Sequence, residues 1–279
     1  MLKIENKTFN DIKREYLINT NLDMLKILVI VCGGCCLQHQ LREVLISIKS
    51  YETNYSFYKS LKELEDNKLI ARKKFSSTNN YVIFASRYTI AKLNKKEINQ
   101  VTTLTQDIYV NRRKIFLSIF KLENLLQYIK LNNVLYKEQL FKYINSSSIR
   151  YSKNQGYKSL IKLIKLDTDK KLTFEGTNKY IKMKNRVERN KSKITSNYKV
   201  IDKEFVSEND YDFDTLLARN IYFFYVKKNI YEINIFDTMD NLNTTKVGKY
   251  IKDTYMVFLD TLDNLEDTKF IFNICVINE

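Results

Sequence analysis

Two groups of residues combine types and spacing that could do chemistry. Asn54, Tyr55, Ser56, Lys59 and Lys62 gather amide, hydroxyl and ammonium groups within nine positions. An asparagine amide can pair with the edge of adenine, and lysine or serine can contact guanine or phosphate. Cys32, Cys35, Cys36 and His39 form C-x2-C-C-x2-H, four nitrogen or sulfur groups of the kind a tetrahedral zinc ion accepts. Gly33 and Gly34 interrupt that run where a helix-to-helix turn is needed, and buried cysteine packs as a small hydrophobe. The cysteines are therefore expected to fill space, with no metal and no other cofactor; a redox or metal sensor is the alternative. His39 is the only histidine, so no Ser/His/Asp triad can form without it, and the chain has no Gly-rich phosphate loop. No catalytic residue and no enzymatic activity are expected.

The elements that must position these residues follow from hydrophobic spacing. Residues 23–31 read as a first helix, with Met24, Leu25, Ile27, Leu28 and Val31 apolar and Asn21 or Asp23 as cap. The two glycines stop it, residues 35–37 make a short link, and residues 38–48 form a second helix with Leu41, Val44, Leu45 and Ile48 on one face. Cap-forming side chains over 50–54 precede a third helix at 55–66, where Phe57, Leu61 and Leu64 share a face and Asn67 suits a left-handed end. Residues 71–75 and 81–85 then read as strands around the polar turn tract 76–80, a hairpin carrying Arg72, Lys73 and Lys74. From 103 to about 193 the chain is helical and basic, with an apolar stripe from Ile115 to Ile129 that could pair two protomers.

With 5 glycines and no proline in 279 residues, helices meet few forced breaks. The Lys, Asn, Ile and Tyr excess fits an AT-rich coding genome, so each lysine needs a positional argument. Residues 1–201 carry 39 Lys and Arg against 17 Asp and Glu, a net of +22, whereas residues 202–279 carry 8 against 15, a net of −7. The basic part suits a polyanion, because each neutralised phosphate releases condensed counterions. The first 20 residues lack the apolar core of a secretory signal, and the run from Ile27 to Cys32 falls far short of the ~20 residues a membrane span needs. A cytoplasmic, reducing setting without membrane contact is expected.

Helix, turn, helix, helix, hairpin is the order of the winged helix-turn-helix family. The run Tyr58-Lys59-Ser60-Leu61-Lys62-Glu63-Leu64-Glu65-Asp66-Asn67-Lys68-Leu69-Ile70 resembles that family's recognition-helix ending, with Asn67 in place of its usual glycine. The resemblance covers about a quarter of the chain. It implies that Asn54, Tyr55, Ser56, Lys59 and Lys62 enter the major groove of double-stranded DNA, while Arg72, Lys73, Lys74 and Arg87 hold phosphates or the minor groove. The bland alternative is the same fold used as a protein contact with a solvated basic face. The tetrapeptide 157–160 repeats Tyr58-Lys59-Ser60-Leu61, which is similar to the doubled domains of winged-helix plasmid initiators; chance identity in a Lys/Leu-rich chain is the competing explanation.

The acidic end reads as strands at 220–226 and 230–236, a helix at 244–262 and a strand at 270–277. With Asp212, Asp214 and Glu232, this order resembles the nuclease-like part of plasmid replication-relaxation proteins. A cation-dependent site there also calls for a lysine two residues after the second acid, and position 234 is Asn.

The fold expected is mostly α with a smaller α/β part: an N-terminal extension (1–20), a winged helix-turn-helix (21–95), a basic helical region for dimerisation or a second helix-turn-helix (103–193), and an acidic α/β module (205–279). The function expected is sequence-specific DNA binding by a transcriptional regulator acting as a homodimer, with a protein partner on the acidic module. The alternative is a plasmid or mobile-element replication or partition factor bound to origin repeats. A DNA-processing enzyme is the third reading.

Overall fold

The computed structural model describes residues 8–75, 80–151, 213–227, 230–238, 242–259 and 268–276. The helix and tetrapeptide repeat expected over 157–164, the basic run 186–203, the turn residues 76–79 and Asp212 lie outside them. The chain is mostly helical with two small sheets. It divides into two units, Met1–Ile144 and Asn145–Glu279. No helix among the described residues is long and apolar enough to cross a membrane.

The first unit opens on a helix rather than a bare extension. Helix α1 (Phe9–Thr20) starts at a capping box in which Thr8 and Asp11 satisfy each other's backbone N–H groups. The backbone and side-chain hydrogen bonds from Thr8 hold the Asp11 carboxyl below its ordinary range. Leu17 and Ile18 bury its inner side. Arg14 donates from Nε to the Asn67 carbonyl at 3.3 Å and lies 5.6 Å above the Tyr88 ring, tying α1 to distant parts of the chain.

The expected first helix is α2 (Leu22–Lys26), continued by a widened π turn over Ile27–Val31. Gly33 and Gly34 end it with φ of 71° and 98°, conformations glycine adopts without steric cost. The short link expected at 35–37 is in fact a strand, β1 (Cys35–Leu37). Helices α3 (Gln38–Ser47) and α4 (Asn54–Asp66) follow, then β2 (Ile70–Lys74) and β3 (Tyr81–Ala85). Both β1 and β2 pair antiparallel with β3, so the expected hairpin is part of a three-stranded sheet in the order β1-β3-β2.

Ser86 caps α5 (Arg87–Leu93), and Thr89 donates to the Leu69 carbonyl at 2.7 Å. A 24-residue helix, α6 (Ile108–Leu131), packs against β1 and α3, and α7 (Lys137–Asn145) follows. Cys35, Leu37, Val82, Phe84 and Ile115 form one core cluster, flanked by Phe75, Leu104, Ile108 and Ile119. Cys36 and Ile83 alternate to the other sheet face and are also fully buried. Ile115, Leu122, Leu125, Leu126 and Ile129 are buried within the chain, so most of the stripe expected to pair two protomers is consumed in its own core.

Among the described residues of that core, one side chain is charged. Lys121 is 5% exposed and donates from Nζ to the Val31 carbonyl at 3.0 Å. Burial lowers its pKa to about 8.

In the second unit, α8 (Phe213–Ala218) precedes the sheet β4-β5-β6, made of β4 (Ile221–Lys227), β5 (Ile230–Phe236) and β6 (Lys269–Cys275), with α9 (Thr244–Leu259) between β5 and β6. β4 runs antiparallel and β6 parallel to β5, as a helix crossover allows. The Phe258 ring meets Phe213, Phe223, Tyr231 and Phe270 at centroid distances of 5.1 to 5.6 Å. Arg219 pairs with the buried Asp253.

Lys121 makes stability depend on pH with a definite sign. Between its folded value near 8 and the ordinary 10.5, the unfolded chain holds a proton that the folded chain has released. Stability should therefore rise with pH across that window, by ~3 kcal/mol in full. Urea unfolding of wild type and Lys121→Met from pH 7.5 to 10 should show wild type gaining on the variant as pH rises. A difference independent of pH would contradict this.

Candidate nucleic-acid interface

Helix α4 has a closed start and two unlike faces. Thr53 takes extended backbone and its hydroxyl accepts from the Ser56 N–H at 3.1 Å, while the Ser56 hydroxyl accepts from the Thr53 N–H at 3.2 Å and donates to the Thr53 carbonyl at 2.8 Å. Asn54, expected among the capping residues, is the first helical residue instead. Phe57, Leu61 and Leu64 are fully buried, while Tyr55, Lys59 and Lys62, at i, i+4 and i+7, are exposed on the opposite side. Tyr55 leaves 77% of its surface open at the first turn.

At its C-terminal end the left-handed residue is Lys68 (φ 57°), not Asn67, which has φ −93°. Lys68 N–H bonds to the Glu65 carbonyl and Leu69 N–H to the Leu64 carbonyl, both at 2.9 Å, the double closure of a Schellman end. The Asn67 amide instead donates to the Glu63 carbonyl at 2.7 Å. This places the left-handed turn one residue later than expected.

The nine candidate residues separate into two groups. Asn54, Tyr55, Lys59, Lys62, Lys73 and Lys74 are exposed, four on α4 and two on β2. Ser56, Arg72 and Arg87 are half-buried and engaged. Ser56 is spent on the cap. Arg72 donates from Nε and a terminal nitrogen to the Glu65 carboxylate, at 2.8 and 2.5 Å, and so ties β2 to α4. Arg87 donates to the Val101 carbonyl at 2.7 Å and the Asn99 carbonyl at 3.3 Å, and so holds the chain after α5. Arg72 thus fixes β2, which carries Lys73 and Lys74, beside α4, which carries Lys59 and Lys62.

A further pair escaped the sequence reading. Arg42 of α3 donates to the Tyr58 hydroxyl at 3.0 Å on the exposed side, bracing α3 against α4. Phe57 connects that ring to the interior through edge-on contacts with Tyr58 and Tyr51 at 5.4 and 5.7 Å.

Cys32, Cys35 and Cys36 are buried free thiols, and His39 is half-buried. Burial pushes the Cys35 thiol up to about 12, and burial followed by its contact with Cys32 pushes Cys36 well above its ordinary value. Among the described residues no three His, Cys, Asp or Glu side chains are grouped to hold a metal ion.

In the second unit, Glu232 and Asn234 of β5 both accept from the Asn273 amide of β6 at 2.9 Å. The Asn234 side-chain nitrogen is buried without a partner. Among the described residues, this face brings the Glu232 carboxylate together with the Asn234 and Asn273 amides. The comparisons with known proteins found no matching family model, no matching curated protein and no matching solved structure.

Arg72→Ala and Arg87→Ala should each lower unfolding free energy in urea, by ~0.5–1 kcal/mol for the partly exposed ion pair and ~1–2 kcal/mol for the two carbonyl bonds. Lys73→Ala and Lys74→Ala should leave it within ~0.5 kcal/mol. Equal losses at all four positions would contradict the division.

Proposed function

We propose that the first unit is a winged helix-turn-helix that binds double-stranded DNA sequence-specifically, with α4 in the major groove and the β2–β3 hairpin as wing. The observation that carries this reading is the pairing of a buried Phe57/Leu61/Leu64 line with an outward Tyr55/Lys59/Lys62 line on one rigidly capped helix. A recognition helix needs both: an apolar face to fix it in the domain, and polar groups near its N-terminal end to reach base edges. The helix, strand, helix, helix, strand, strand order of α2 to β3 and the β1-β3-β2 sheet support the same reading. So does the excess of cations over residues 1–144, 24 Lys and Arg against 13 Asp and Glu.

Lys59 and Lys62 read or anchor in the groove, Asn54 and Tyr55 contact bases at its entry, and Lys73 and Lys74 contact phosphates beside it. The role we assign to the protein is transcriptional regulation, with the acidic C-terminal part, net −7 over residues 202–279, repelled by phosphates and available to protein partners.

Lys59→Ala combined with Lys62→Ala should weaken binding to a selected duplex site at least tenfold at fixed salt and reduce its preference over random duplex. Competition binding measures both. Wild-type affinity and preference in the double variant would contradict the assignment of α4.

A further inference from the structure

Phe75, the residue after Lys73 and Lys74, packs against the same core cluster as Ile108, the first residue of α6. The cationic strand end and the first turn of α6 therefore border one core cluster. Over the first turns of α6 Ile108 and Ile115 point inward, while Tyr109, Arg112 and Arg113, at i, i+3 and i+4, share one flank. Arg112 and Arg113 are exposed, and neither has an ion pair among the described residues. The Arg112 guanidinium lies 5.4 Å over the Tyr109 ring, and Tyr109 keeps 78% of its surface open.

We infer that Arg112 and Arg113 of α6 form a second phosphate-binding element, which extends the DNA contact past the hairpin along the duplex backbone. This rests on the DNA-binding reading of α4 and adds a surface outside that domain's own elements. Four exposed cations, Lys73, Lys74, Arg112 and Arg113, come from two elements that border the same core cluster, and a phosphodiester backbone is a polyanion long enough to engage both. The aromatic ring lies beside the guanidinium and offers an apolar surface to the sugar. Arginine also suits phosphate because its planar fork can donate two hydrogen bonds at once. The contact is independent of base sequence, so it adds affinity and salt dependence without adding specificity.

The test is the salt dependence of binding of the full chain to a random-sequence 30-base-pair duplex, read by fluorescence anisotropy between 50 and 200 mM NaCl. Each lost phosphate contact lowers the slope of log K against log salt by ~0.9, so Arg112→Ala with Arg113→Ala should lower it by ~1.8. Across that fourfold salt range the variant should lose about tenfold less affinity than wild type. Arg112→Lys with Arg113→Lys should keep most of the slope. Lys130→Ala with Lys142→Ala, which removes two exposed cations, one in the last turn of α6 and one on α7, should leave it unchanged. An unchanged slope in the double alanine variant overturns the inference while the α4 reading stands, and an equal drop in the Lys130/Lys142 control overturns it in favour of diffuse charge. Absence of wild-type binding at 50 mM salt would remove the DNA reading itself, and this inference with it.

Discussion

The left-handed turn at Gly33 and Gly34 lets Cys35–Leu37 lie antiparallel beside β3, and the rest of the first unit depends on that pairing. Without β1, the β2–β3 pair would be an isolated two-stranded ribbon, which is marginal in water. With it, both faces of the sheet are buried where β1 pairs with β3, at Cys35–Leu37 and Val82–Phe84, and Ile115 of α6 closes one of them. A side chain at position 34 would meet both a φ of 98° and the Leu104 methyl 3.2 Å away, so glycine is required there for conformation and for space. The Ala85 N–H also bonds to the Gly34 carbonyl at 2.8 Å, locking the turn to the end of β3.

From this sheet the geometry of α4 follows. β2 packs against α4, and the Arg72–Glu65 pair fixes the two side by side. Thr53 closes one end of the helix and Lys68 the other, so the exposed Tyr55, Lys59 and Lys62 are presented by a helix whose ends do not fray. Order at a binding surface matters because side chains held in place before contact lose less freedom when they bind. The partly exposed Arg72–Glu65 pair contributes little to stability. Its consequence is orientation.

Helices α3, α4 and α9, the strands of both hairpins and β6 were legible because their apolar residues recur at 3.6 or 2 residues between clear stops. Strand β1 was not, since three residues carry no period and cysteine reads as turn filler as readily as strand. Helix α1 was hidden by its polar exterior and its exposed Phe9 and Tyr16, which break the pattern of a buried face. Among the candidate site residues, six exposed ones followed from helix and strand periodicity. Periodicity could not show that Ser56, Arg72 and Arg87 spend their donors inside the fold, because their partners are capping atoms, a carboxylate seven residues back and distant carbonyls. The Thr53-x-x-Ser56 spacing was a visible signal for the first of these. Lys121 gave none, since only the packing of α6 against the rest of the core buries it.

The folded core leaves one capped, cationic helix exposed beside a basic hairpin, and the proposal of sequence-specific DNA binding rests on that arrangement. The most direct test is to pass the full chain over a random-sequence duplex library, recover the bound fraction through successive rounds and sequence it. The account predicts enrichment of one discrete motif of a few base pairs, lost when Lys59 and Lys62 are replaced together. Recovery of duplexes with no common motif, at an affinity set only by salt, would contradict sequence-specific recognition by α4.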